Sequence, residues 1–123
     1  MRIRRFAVPV TVDAAGDATV YSPRIFGRLI SFAYVKTDYA DGVGFTITAE
    51  TTGETLWTEA AVNASAVRHP RAATCSTAGV ASLYVAAGTA VLSKIGLGGD
   101  RIKIVVAAGG VSKTGVFHIT VDG

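Results

Sequence analysis

The sequence is poor in the residue types on which several classes of protein depend. It has one cysteine, Cys75, and two histidines, which leaves no internal disulfide and too few ligands for a zinc site. Charged residues make up only 17% of the 123 residues and the net charge is only +3, whereas half of the residues are hydrophobic. A chain this apolar is not disordered, and its length suits a single domain over residues 1–123.

Long uninterrupted apolar runs are also missing. The stretch at 78–90 contains Gly79, Ser82 and Gly88 and is shorter than the ~20 apolar residues of a membrane-spanning helix. The N-terminal segment has arginines but no continuous apolar stretch behind them, so we expect no signal peptide. These features predict a soluble protein that does not contact a membrane.

No residues have the spacing of a catalytic site. His118 alternates with hydrophobic neighbours in a predicted strand, and His69 lies in an irregular stretch beside a proline. A pairing of His69 with Cys75 for nucleophilic catalysis has nothing in the sequence to hold its geometry. We therefore predict no catalytic residue and expect that the chain is not an enzyme.

Metal and phosphate sites are predicted to be absent as well. Asp38 and Asp41 suit a turn, and with Glu50 they fall short of the oxygen ligands of a calcium loop. The glycine-rich stretches 96–99 and 109–114 lack the spacing and the following helix of a phosphate-binding loop. We expect no metal and no cofactor.

Two groups of arginines give the chain its local positive charge: Arg2, Arg4 and Arg5 near the N-terminus, and Arg68 with Arg71 in the middle. Neither group is interleaved with aromatic residues or carries a nucleic-acid-binding motif, so we expect no nucleic acid as a partner. We predict that these five arginines dock on an acidic protein surface. Residues 1–5 would then form a basic N-terminal arm.

Short runs of alternating apolar and polar residues, separated by turn residues, predict β-strands. The predicted strands span residues 3–12, 18–21, 27–37, 45–50, 55–59, 101–106 and 114–121. Weaker candidates are 81–86, a short strand, and 89–95, a strand or a single helical turn. About six to eight short strands without an amphipathic helix indicate an all-β fold, an antiparallel β-sandwich or a small barrel.

The turns between these runs predict some of the strand pairing. Strand 3–12 is expected to form a hairpin with 18–21 and, because Pro9 cannot donate to a ladder, to lie at a sheet edge. Strand 45–50, with its odd-numbered residues inward, is expected to pair with 55–59.

Ser22-Pro23 is predicted to end a strand, and 27–37 is placed centrally because both of its faces are apolar: Leu29, Ser31, Ala33 and Val35 on one, Ile30, Phe32 and Tyr34 on the other. Residues 60–76 are interpreted as a long irregular connection or arm, and 96–100 as a flexible turn.

Several segments of the chain resemble a widespread family of short proteins encoded among the head and head–tail structural genes of tailed phages and prophages. The resemblance covers nearly the whole chain, and its segments are VYSP at 20–23, GRL at 27–29, DGVGFTITAETTGETL at 41–56, NAS at 63–65, DRIKIV at 100–105 and KTGVFH at 113–118. These motifs are structural and bring no active-site residues with them.

The resemblance implies a non-enzymatic virion protein, assembled in the host bacterial cytoplasm and forming a homo-oligomer, a trimer or a ring. Its partners would be the phage major capsid or neck proteins. It would bind the capsid as a decoration (cement, or minor capsid) protein, or else belong to the head–tail neck. A third alternative is a carbohydrate- or receptor-binding fibre module, for which Tyr39 and Trp57 are the candidate exposed aromatics, although a core position is expected for Trp57.

Overall fold

The computed structural model describes residues 3–122, and this part of the chain contains nine β-strands. They are β1 (Ile3–Thr11), β2 (Ala18–Lys36), β3 (Val43–Ala49), β4 (Thr55–Val62), β5 (Ala66–Arg68), β6 (Ala72–Ala73), β7 (Leu92–Ser93), β8 (Ile95–Ala107) and β9 (Thr114–Asp122). Within residues 3–122, no helix has the length and apolar character to cross a membrane.

Seven of the strands form one antiparallel sheet in the order β1-β9-β2-β8-β3-β4, with β5 paired to β2, and β6 and β7 form a second, two-stranded sheet. The predicted all-β, antiparallel class is confirmed. The strands are less uniform than expected, since β2 has 19 residues and β8 has 13. These two long strands pair with each other and are the central pair of the sheet.

The main sheet is curled into a half-barrel around an aromatic core. Trp57 on β4 and Phe117 on β9 have ring centroids 6.5 Å apart, although three strands lie between β4 and β9. In a flat sheet these two strands would be about 19 Å apart, at the usual spacing of neighbouring strands. The curl therefore brings the inner faces of distant strands into contact. Phe45 packs edge-on against both rings, at 4.9 and 5.0 Å between centroids.

Strand β1 confirms one prediction and corrects another. It pairs only with β9 and lies at the edge of the sheet, so the missing N–H of Pro9 leaves no gap in an interior ladder. The predicted hairpin between residues 3–12 and 18–21 is wrong, because residues 18–21 pair with β8 instead. The turn at 13–17 is formed by local bonds, among them Asp13 Oδ1 accepting from the Asp17 amide at 3.1 Å, and it sends the chain away from β1.

Ser22-Pro23 does not end a strand, contrary to the prediction. Strand β2 continues through it with a bulge, where the register with β8 shifts between Tyr21 and Arg24. The Ser22 hydroxyl is buried in the bulge and accepts a hydrogen bond from the Ile102 amide at 2.9 Å. A bulge leaves residues outside the ladder, so it accommodates a proline that cannot donate.

A second bulge in β2, between Leu29 and Ser31 where it pairs with β9, changes which side chains face inward. Leu29, Phe32 and Tyr34 are all buried and Val35 is exposed, so the expected division of the strand into two apolar faces is wrong at Leu29. The central position predicted for this strand is confirmed, because β2 lies between β9 and β8.

Of the remaining strand and turn predictions, some are confirmed and others are wrong. The β3–β4 hairpin is confirmed, with Phe45, Ile47 and Ala49 buried as expected. Residues 96–100 belong to strand β8, so the predicted flexible turn is wrong. The strands predicted at 101–106 and 114–121 are present in β8 and β9, which lie on either side of β2 in the sheet.

Residues 60–76 are not one irregular connection. They contain the end of β4, all of β5 and β6, and the first residues of an exposed segment described below.

Candidate interaction surface

The structure does not gather the predicted N-terminal arginines on one face. Arg2 lies outside the described residues. Arg4 and Arg5 lie in β1, where successive side chains point to opposite faces, and this strand is paired with β9 along its length. The Arg4 guanidinium donates to the Phe26 carbonyl at 2.9 Å and lies over the Phe6 ring, while Arg5 points outward and is exposed.

Arg68 and Arg71 make contacts within the fold. Arg68 forms an ion pair with Glu59 and its guanidinium lies 5.9 Å from the centre of the Trp57 ring. Burial raises the pKa of Glu59, but hydrogen bonds from Arg68 and Trp57 outweigh that effect and hold the pKa below its ordinary value. Arg71 donates to the Ile30 carbonyl at 2.8 Å. Partner docking by the five arginines stays a prediction.

The residues considered for chemistry are separated or have structural roles. Asp38 accepts a hydrogen bond from the Thr114 amide at 2.6 Å and Asp41 forms an ion pair with Lys36, as expected of turn residues. Cys75 is exposed. Within residues 3–122, no three His, Cys, Asp or Glu side chains converge as metal ligands would.

A cleft of about 230 Å³ lies between the β3–β4 turn and the start of β8, beside Asp100. The Asp100 carboxylate accepts hydrogen bonds from the Thr51 hydroxyl and from the Arg101 amide, both at 2.9 Å. Burial raises the pKa of Asp100, and these hydrogen bonds outweigh burial and lower it below its ordinary value. The Asp100 carboxylate therefore links the β3–β4 turn to β8 through hydrogen bonds.

The most unusual surface is formed by residues 72–93, which we call the finger. The chain passes through it three times, at 72–76, 80–84 and 89–93, and the passes bond to one another. Thr74 N donates to Val91 O at 2.8 Å, Ser82 N donates to Thr74 O at 2.7 Å, and Val91 N donates to Ser82 O at 2.8 Å. The finger is therefore closed by its own backbone hydrogen bonds, and its two strands β6 and β7 pair only with each other.

Every residue from 75 to 89 is exposed, so this part of the finger stands clear of the main sheet. Its large side chains are exposed by 43–71%: Val80, Leu83, Tyr84, Val85 and Leu92. None of residues 72–93 is Asp, Glu, Lys or Arg, although charged residues occur along the rest of the chain. Exposed apolar side chains on a surface without charge are typical of the centre of a protein–protein interface.

The base of the finger is held by an ion-pair cluster. Asp122 at the end of β9 is 1% exposed, and its carboxylate contacts Lys94 Nζ at 2.6 Å and Arg28 Nε at 3.1 Å. The hydrogen bond from Lys94 and the charge of Arg28 hold the pKa of Asp122 below its ordinary value despite burial. Because Lys94 directly follows the finger, this cluster joins the finger to β2 and β9.

The exposed aromatics are not those named from the sequence. Tyr39 and Trp57 are 2% and 6% exposed, so neither can stack on a glycan, and the core position expected for Trp57 is confirmed. Tyr84 and Phe26 are instead exposed, by 71% and 60%. The available signal for Tyr84 was its position within the longest uncharged part of the sequence.

No protein-family profile matches the chain, and no curated protein matches it. Among solved structures, a chain from the structure of infectious bursal disease virus, Gt strain, matches with a TM-score of 0.37 and 14% identity. The match covers 98% of this chain and 32% of the viral chain, so this chain spans about a third of the viral chain's length. This likeness is too slight to assign a fold or a function.

Proposed function

We propose that this chain is a non-enzymatic structural protein of a virion, which binds the capsid surface of a tailed bacteriophage as a decoration protein. The observation that carries the proposal is the finger, an exposed surface without charge on an otherwise well-packed half-barrel. Such a surface is unfavourable in an isolated monomer, because about 25 cal/mol is gained for each Å² of apolar area removed from water. The chain therefore has the surface of a subunit that works in contact with other proteins.

The setting in a phage particle comes from the sequence resemblance. Its segments include residues 41–56, which cover β3 and the turn into β4 and supply Phe45 to the aromatic core, and residues 113–118, which supply Phe117. A decoration protein is present in many copies, and the repetition supplies avidity that a single small interface lacks. This supports a role in which each copy makes modest contacts with its neighbours and with the shell.

The outer face of β1 is the proposed contact with the shell. Ile3, Arg5, Ala7 and Pro9 are all exposed and lie in one row along this edge strand. A row of apolar side chains with an arginine suits an acidic protein surface, because the charge speeds encounter and the apolar groups add burial. Arg4, Arg68 and Arg71 make internal contacts and would contribute less.

Protein mass spectrometry of purified virions tests the proposal. We expect to detect the chain in particles and, for a decoration protein, in hundreds of copies per head. A count of about a dozen would instead assign it to the ring around the neck. Its absence from particles of a phage that expresses it would overturn the virion proposal.

The shell contact has its own test. We expect Arg5→Glu to reduce incorporation into particles severalfold without lowering the melting temperature of the purified protein. Lys103→Glu, a charge reversal of the same kind on β8, is the control and should be incorporated normally. An equal loss of incorporation into particles for the two variants would contradict a contact through β1.

A further inference from the structure

We propose that the finger binds the finger of a second copy of this chain, so that the protein is a homo-oligomer joined by finger-to-finger contacts. This deepens the proposed function, on which it rests for its setting in a particle. The contact itself is a property of the purified chain and is tested separately.

The chemistry of the finger restricts what can cover it. A charged partner surface would lose hydration against residues 72–93 and find no opposite charge there in return. The occupant must therefore be uncharged, with apolar side chains and available backbone groups. The finger of another copy meets this description, since it combines Val80, Tyr84 and Val85 with a surface free of charge.

The backbone of the finger also suits self-association. Strands β6 and β7 have two residues each, and the other pairings are the isolated bridges Cys75–Ala81 and Leu83–Ala90. Short pairings leave backbone donors and acceptors at the edges for a neighbouring chain. Apart from Cys75, Val91 and the large exposed side chains, the finger is built from Ala, Ser, Thr and Gly, which let two backbones approach closely.

The finger is supported at its base, which reduces the ordering that association requires. The carboxylate of Asp122 holds Lys94 at one end of the finger, and Arg71 next to the other end donates to the Ile30 carbonyl. A surface that is held in place before binding loses less conformational entropy on association. Contacts between identical surfaces also lead to closed symmetric oligomers, which fits a subunit of a symmetric shell.

Sedimentation velocity of the purified full chain tests the inference, with two charged variants of the finger. Val80 is 66% and Tyr84 71% exposed, so replacing both by Glu, or both by Lys, leaves the core untouched. We expect the unaltered protein to sediment as an oligomer. Each double variant should raise the dissociation constant at least about 30-fold, the effect of losing one strong interface residue.

Mixing the two variants distinguishes finger-to-finger contact from contact with another surface. If fingers meet each other, the Glu variant and the Lys variant repel themselves but attract one another, and the mixture should recover the oligomer. Val67→Glu with Val111→Glu is the matched control, because these valines are 53% and 66% exposed and lie outside the finger. The control should sediment like the unaltered protein.

The inference is overturned if the unaltered chain is monomeric at tens of micromolar, if the finger variants sediment as it does, or if the mixture stays monomeric. None of these results bears on whether the chain is found in virions. Conversely, an oligomer joined by its fingers that is missing from particles would support this inference and overturn the virion proposal.

Discussion

The contact between Tyr39 and Gly115 allows a sharp test of how the half-barrel is packed. Tyr39 stacks on Tyr34 with 6.0 Å between ring centroids, and its hydroxyl donates to the Val10 carbonyl at 2.6 Å. Burial, and then the neighbouring Tyr34 and Asp38, raise the pKa of Tyr39, so the hydroxyl stays a neutral donor. Its ring lies directly over Gly115 on β9.

Gly115→Ala places a methyl group where this ring already is. A Cβ at position 115 would be 2.5 Å from Cε2 and 2.8 Å from Cδ2 of Tyr39. Both distances are far below van der Waals contact, and the ring is anchored by its stacking and by its hydroxyl. Overpacking of this kind costs about 2 kcal/mol. For a chain of this length the loss lowers the melting temperature by about 8 °C.

Urea unfolding followed by tryptophan fluorescence measures the effect, because Trp57 is buried in the aromatic core. Gly98→Ala is the matched control: Gly98 is also in a strand, and a Cβ there meets nothing within 4 Å. We expect Gly98→Ala to leave stability unchanged or to raise it by about 0.5 kcal/mol, since alanine restricts the unfolded chain.

A double-mutant cycle with Tyr39→Leu identifies the ring as the cause. Tyr39→Leu alone destabilises the protein, because it removes the stacking and the hydrogen bond. Gly115→Ala added to Tyr39→Leu should cost almost nothing, which gives a coupling energy of about 2 kcal/mol. Additive losses, or a Gly115→Ala variant as stable as Gly98→Ala, would refute the described position of Tyr39.

Three further predictions concern polar groups in the core. Removing the hydroxyl by Tyr39→Phe should cost about 1 kcal/mol in urea unfolding, whereas Tyr34→Phe should cost nothing, because the buried Tyr34 hydroxyl has no hydrogen-bond partner among residues 3–122. Ser22→Ala should cost about 1–3 kcal/mol, since it leaves the Ile102 amide without an acceptor, and Ser22→Thr should lose less. Asp122→Asn should be less stable than the unaltered protein at neutral pH, with the difference narrowing as the pH falls through the lowered pKa of Asp122. A difference in unfolding free energy between the two proteins that widens in acid would contradict the ion-pair cluster.

The sign of the last effect follows from the direction of the pKa shift. A carboxyl whose pKa is lower in the folded state than in the unfolded state stabilises the fold fully above the unfolded value, near 4. This stabilisation disappears as the acid becomes protonated in the folded protein. Chemical unfolding of both proteins at several pH values between about 2 and 7 covers the whole range.

Local patterns were enough to predict the parts of the fold that depend on neighbouring residues. The β3–β4 hairpin follows from two alternating runs around Gly53, and the position of β1 at an edge follows from Pro9. The partner of β1 could not be found in this way. Its ladder with β9 joins residues about a hundred positions apart, and alternation reports the face of a strand without identifying its neighbour.

The faces of β2 could not be predicted from local patterns either, because of its bulges. Leu29 joins Phe32 and Tyr34 in the core because the register shifts beside it, and a strict two-residue period cannot show such a shift. Likewise, glycines at 96–99 suggested a turn, but pairing with β2 holds them in β8. In both cases a long-range ladder outweighed the local preference.

The candidate site shows the same division. That residues 72–93 carry no charge is visible in the sequence. The sequence does not show whether their apolar side chains are buried or exposed, because Val80 and Tyr84 follow the same kind of pattern as buried residues elsewhere. Only the folded chain shows that these side chains are exposed while Tyr39 and Trp57 are enclosed.

By itself, the sequence determined the all-β class, most of the strands, the edge position of β1 and the uncharged composition of the finger. These depend on the residue types present and on their spacing over a few positions. The tertiary structure alone decided which strands pair, how the sheet curls and which apolar residues stay exposed. The physical reason is that burial is a property of the assembled sheet: a side chain is enclosed only when distant strands close over it, and within residues 3–122 no strand closes over residues 75–89.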